Sequence, residues 1–165
     1  MKFILSFLIL FASYLILGCA SKSEEKESNS IKLNANGTEV LKNGKSKSAS
    51  SLIDLNNKGI GPITNLELNP EIDQSLAAYG KSLYNQTCVT CHRSKKRFTG
   101  PPLFGILEKR SPEWVMNMIL NPEVMSQRDP IANALFKEYM GSLMINQHLS
   151  EKDARAILEY LRILE

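Results

Sequence analysis

Cys88-Val-Thr-Cys91-His92 restricts this chain more than any other stretch of it. It gathers two of the three cysteines and one of the two histidines into five positions. Two thiols three residues apart can face one flat ligand together, and the residue that follows is then held close to that ligand's centre. Other uses of such a pair each ask for something more. A structural zinc site needs four ligands, and the sequence has no second Cys/His pair. A thioredoxin-type dithiol belongs in a βαβ context. A plain disulfide leaves His92 without a role.

The N-terminus reads as a targeting segment. Lys2 supplies a positive start, and Phe3 to Leu17 is apolar apart from Ser6, Ser13 and Tyr14. That run falls short of the ~20 apolar residues of a spanning helix and suits a signal-peptide core. It ends in Leu15-Ile-Leu-Gly-Cys19, which resembles the lipobox of bacterial lipoproteins. The resemblance implies a signal peptide over 1–18, cleaved before Cys19, with Cys19 lipidated. Leu17 stands where a smaller residue is usual. The alternative is an uncleaved membrane anchor, which would leave the domain on the same side of the membrane. Exported cysteines invite disulfides. With Cys19 lipidated, only Cys88 and Cys91 remain, both inside the motif.

Residues 19–51 change character, with Ser, Lys, Glu, Asn and Gly replacing large apolar groups. Such a stretch cannot bury enough surface to offset its ordering, so it reads as a disordered tether. About 30 flexible residues would reach roughly 30 Å. Residues 52–69 carry turn signals at Gly59, Gly61 and Pro62 and read as an extended lead-in laid along the domain.

Residues 70–165 read as helices. Asn69-Pro70, Ser111-Pro112, Asn121-Pro122 and Asp129-Pro130 each place a side-chain acceptor at N-cap and a preset φ at N1. Ser150 with Asp153 is a capping-box variant. Ile72, Leu76, Tyr79 and Leu83 form one helical stripe; Ala154, Ile157, Leu158, Leu161 and Leu164 form another. Lys152, Asp153, Arg155, Glu159 and Arg162 take the polar face of the last helix. The domain is therefore small and all-α, and a core of this size needs a further source of stability.

Motif, export and helical context together point to covalent haem. Cys88 and Cys91 would each add to one vinyl group, and His92 would coordinate the iron through one ring nitrogen. Residues 70–165 resemble a class I monohaem c-type cytochrome along their whole length. The residues behind the resemblance are Gly80 and Tyr84 before the motif, Gly100-Pro101-Pro102-Leu103 after it, and Tyr160 in the last helix. The resemblance implies a fold of about four to five helices around one haem c, with Gly80 where the last helix crosses. It also implies that the carbonyl of Pro101 accepts a hydrogen bond from the non-ligating nitrogen of His92. Met144 is the implied sixth ligand, although Ile145 stands where the family usually has proline. Met140 is the next choice, and His148 offers bis-histidine ligation. Met116, Met118 and Met125 read as packing groups. Leu103, Phe104 and Trp114 would line the haem pocket or its propionate edge.

The implied function is one-electron transfer between exported respiratory redox proteins, by a membrane-tethered carrier on the periplasmic side of a bacterial membrane. No substrate turnover is expected of an iron held by two strong ligands. Residues 59–88 resemble cytochromes of bacterial respiratory chains. Arg93, Lys95, Lys96 and Arg97 form a basic run that either is solvated surface or steers an acidic redox partner. A net charge of +3 gives no footing for nucleic acid, and nothing points beyond a monomer. Two alternatives stay open: a ligand-binding or peroxidase-like haem protein with a labile methionine, and a fixed haem subunit of a larger reductase or oxidase.

Overall fold

Four of the five α-helices among the described residues start where a side chain takes an orphan backbone N–H. The structure is a computed structural model and describes residues 39–40 and 46–164. The signal segment 1–18, Cys19 and most of the tether stretch lie outside the described residues. Two short strands, β1 (Glu39–Val40) and β2 (Ser46–Lys47), pair antiparallel with Glu39 opposite Lys47. Five α-helices follow among the described residues: α1 (Gln74–Thr87), α2 (Pro112–Leu120), α3 (Pro122–Arg128), α4 (Pro130–Glu138) and α5 (Glu151–Leu161). None of them is long and apolar enough to cross a membrane.

Three caps form where the sequence places them. Ser111 accepts from the N–H of Trp114, Asp129 from that of Ala132, and Ser150 forms a reciprocal box with Asp153. Two differ. Asn121 caps nothing with its side chain, which donates instead to the carbonyl of Ile60. Helix α1 begins at Gln74, not behind Asn69-Pro70. Asn69 accepts from the N–H of Glu71, a local turn, and Asp73 takes the N–H of Leu76 as the cap.

That later start shifts the buried stripe of α1 to Ala77, Gly80 and Tyr84. Tyr79, expected on the stripe, is exposed and its hydroxyl donates to Asp153 at 2.7 Å. Helix α1 crosses α5 at Gly80, where an added Cβ would lie 1.8 Å from the carbonyl oxygen of Ala156. Tyr84 and Tyr160 meet edge-on beside the crossing, with ring centroids 5.2 Å apart. Ile157, Leu158 and Leu161 of α5 join Ile119 and Ile131 in the core. Glu159, expected on the polar face, is 1% exposed. It is fully paired there: Arg155, Arg162 and the N–H of Asp73 all donate to it. A buried carboxylate is tolerable only with such partners.

Residues 49–69 form a strap, a 3-10 turn at Ala49–Ser51 beside α4 followed by irregular chain against α2 and α3. Its packing begins at Ala49, which has no exposed surface and lies inside the stretch read as tether. The strap has few main-chain partners, and helix side chains supply the rest. Arg110 donates to the carbonyls of Ala49 and Leu52 at 2.8 and 2.6 Å. Asn117, 1% exposed, donates to the carbonyls of Lys58 and Ile63 and accepts from the N–H of Ile63. Glu113 accepts from the N–H of Leu66 and pairs with Lys58 at 3.1 Å. Gly61 sits so close to Asn117 that a Cβ would meet its amide at 2.3 Å.

Candidate functional site

Helix α1 stops at Thr87 because the chain turns sharply at the motif. The N–H groups of Cys91 and His92 both donate back to the carbonyl of Cys88, at 3.1 and 2.9 Å. This turn brings Cys88, Cys91 and His92 onto the wall of one cavity of about 360 Å³, a volume in the range of small-molecule sites. Both thiols are free of any disulfide.

The segment after the motif folds back to support the imidazole. Gly100 donates to the carbonyl of Cys91, Leu103 to that of Arg93, and Phe104 to that of Ser94. Gly100 lies against the ring: a Cβ there would come within 2.5 Å of its Cε1 atom. The Nδ1 atom of His92 is 2.8 Å from the carbonyl oxygen of Pro101. A carbonyl only accepts, so Nδ1 carries the hydrogen and Nε2 keeps its lone pair. Burial pushes the imidazole below its ordinary pKa, against the opposing pull of the Pro101 hydrogen bond. The ring is thus held neutral, the form that binds a metal. Burial likewise pushes the Cys88 thiol up, with Thr87 opposing.

Pro101, Leu103, Trp114 and Met144 line the same cavity. Trp114 is fixed by its indole N–H, which donates to the buried carboxylate of Asp129 at 3.0 Å. All seven residues expected at the site therefore face one space. Phe104 and the two alternative ligands lie elsewhere. Phe104 is 45% exposed and does not line the cavity, with the Lys95 ammonium 4.8 Å from its ring centroid. Met140 is 91% exposed, and neither it nor His148 lines the cavity. Met125 is fully buried under the strap, where the N–H of Ile60 points at its sulfur.

Sequence reasoning missed Met118 and Tyr139 as lining residues. It also missed Asn117, Arg110 and Glu138 as anchors. A signal existed for Asn117: it is the one uncharged polar side chain in the apolar run Trp114 to Leu120. A polar group inside an apolar helix face must find a partner, here the backbone of the strap.

A helical domain with two thiols and a carbonyl-bound imidazole on the wall of one apolar cavity defines a class of protein, the covalent haem binders. A family model described as cytochrome c matches residues 77–165, and the chain belongs to that family. It is similar to the cytochrome c of Rhodothermus marinus, with 45% identity and a TM-score of 0.61. That match covers 63% of this chain and 89% of the other. An engineered form of the same cytochrome c matches at 44% identity and a TM-score of 0.61, covering 63% and 90%. A second engineered structure, bound to a carbene intermediate, matches at 44% and 0.59, covering 63% and 89%. Among curated proteins none matches. The domain accordingly binds one covalent haem c with its iron and serves electron transfer, and domains of this family are typically exported. The cavity fits the group: paired thiols for its vinyls, a neutral nitrogen donor, and a glycine where any side chain would displace that donor.

Proposed function

We propose that this protein is a membrane-tethered electron carrier on the periplasmic side of a bacterial membrane, with His92 and Met144 as axial ligands. One observation carries the ligand reading: His92, with Nδ1 committed to Pro101, and Met144 line the same cavity. Haem supplies reversible one-electron iron chemistry when bound. The chain does the rest. Cys88 and Cys91 hold the group by two thioether bonds. Pro101 orients the imidazole and makes its free nitrogen more basic. Leu103, Trp114 and Ile119 exclude water from the cavity. With Met144 and His92 both engaged, no position is left for a substrate.

Cys19 is the proposed lipid anchor, and residues 20–48 the tether that lets the domain sample its partners. Those partners are other exported respiratory redox proteins with acidic docking faces. Support comes from the basic ridge after the motif. Arg93 stacks on Phe98 with the guanidinium carbon 4.3 Å from the ring centroid, and Arg97 stacks on Tyr139 at 3.9 Å. Stacking holds both cations, and Arg97 lies beside the cavity wall, since Tyr139 lines it. Charge so placed steers encounter rather than adding much affinity.

The test is electron exchange between the exported haem-loaded protein and a soluble acidic redox protein. The rate should fall as ionic strength rises, and peroxide should not be turned over. A rate that is indifferent to salt, or steady peroxide turnover, contradicts this reading.

A further inference from the structure

Residues 142–149 carry Met144 from α4 to α5. Beyond Ser142, whose N–H returns to Tyr139, they make no main-chain hydrogen bonds to main-chain groups of the described residues. Their two side-chain hydrogen bonds are local: Gln147 donates to the carbonyl of Ile145, and the N–H of His148 to Asn146. The position of Met144 is therefore set by the two ends of the loop and by the packing of Met144 and Leu149 on the core. The far end is the Ser150–Asp153 box. The near end leaves α4 through Met140 at φ +56° and Gly141 at φ +77°. A non-glycine residue in that region persists only where its surroundings hold it.

Glu138, the last residue of α4, gathers those surroundings. One carboxylate oxygen accepts from the N–H of Ser50 at 2.8 Å, and the other from the Ser50 hydroxyl at 2.5 Å. The same side chain pairs with Arg97 at 3.5 Å, and Arg97 also donates to the Glu138 carbonyl at 2.6 Å. Arg97 then covers Tyr139, which is buried and faces the cavity. Three segments thus meet at one carboxylate: the strap, the loop after the haem motif, and the start of the Met144 loop. The family match begins at residue 77, so the strap's share of this joint, Ser50, lies outside it.

We propose that Glu138 is a positioning residue for Met144. It touches neither the ligand nor the cavity; it fixes the point from which the ligand loop departs. This rests on the reading of Met144 as sixth ligand. An added ligand must displace Met144, so its apparent affinity measures how readily the loop opens.

The test titrates imidazole into the oxidised, haem-loaded full chain. Glu138→Gln should bind imidazole about tenfold more tightly than the parent, and Arg97→Gln about threefold. Glu113→Gln, which loosens the strap at Leu66 away from the loop, should lower the unfolding temperature yet leave imidazole affinity unchanged. Unchanged affinity in both Glu138→Gln and Arg97→Gln overturns the proposal. So does an equal rise in Glu113→Gln, because the effect would then be general loosening. If Glu138→Gln fails to fold, the Arg97→Gln result decides. Met144→Ala runs alongside: a spectrum matching the parent refutes the ligand reading itself, whereas a changed spectrum with unmoved Glu138→Gln affinity refutes only the positioning role.

Discussion

The strap and the Met144 loop are both irregular chain laid on helices, yet they are held in opposite ways. Asn117, Arg110 and Glu113 bind the strap's backbone along its length. Nothing comparable reaches residues 143–149 among the described residues. The strap hides its polar backbone in buried side chains. The loop leaves its backbone toward solvent, with Leu143 and Ile145 exposed around Met144. A carrier gains from this division. The strap adds stability and meets the ligand loop only through Ser50 at Glu138, while the loop brings a ligand to the cavity and relies on its ends and on the packing of Met144 and Leu149.

The largest test strikes the crossing of α1 and α5, which carries the far end of the Met144 loop but none of the strap's anchors. Gly80→Ala forces a Cβ against the Ala156 carbonyl and should cost about 3 kcal/mol or more, the top of the overpacking range. Denaturant unfolding would show it, and a loss under 1 kcal/mol would mean the crossing is looser than its geometry. Next comes the strap alone. Asn117→Leu strips three bonds to half-buried strap backbone and should cost about 2 kcal/mol, since each such bond contributes a net ~0.5–1.5 kcal/mol. The spectrum of the oxidised protein should not change. If it does, strap and loop are not separable.

Smaller effects sharpen the contrast. The N–H of Ile145 donates to no described main-chain group, so Ile145→Pro sacrifices none of those bonds. Stiffening the loop should stabilise it by about 0.4–1 kcal/mol, read as weaker binding of added imidazole. The smallest effect is in acid. Glu113 loses solvation on burial, but its own backbone N–H, Lys58 and the N–H of Leu66 hold its pKa below the ordinary 4.5. A lowered folded-state value means its contribution is present above pH 4.5 and fades as pH falls below that. Hydrogen exchange at Leu66 should therefore quicken in acid before exchange in α5 does.

The helices were legible because caps and stripes are local. Ser111, Asp129 and Ser150 announce their own helices, and the α5 stripe needs only its own spacing. Gly80, Tyr84 and Tyr160 were legible through family resemblance, and Cys88 to His92 through the chemistry of two thiols and an imidazole. What the sequence hid was long-range. Nothing near Glu159 tells that Asp73, 86 positions earlier, will donate to it. Nothing near Ser50 points to Glu138, 88 positions away. Nothing near Phe104 tells that the return of residues 93–104 leaves it half-exposed beside Lys95 and off the cavity wall.

The most direct test of the account is the near-infrared spectrum of the oxidised, haem-loaded protein before and after Met144→Ala. The parent should show the methionine-to-iron charge-transfer band of a closed six-coordinate centre, and the variant should lose it and become high-spin. A parent that lacks the band, or a variant that keeps it, would contradict His92 and Met144 as the pair that makes this protein a carrier.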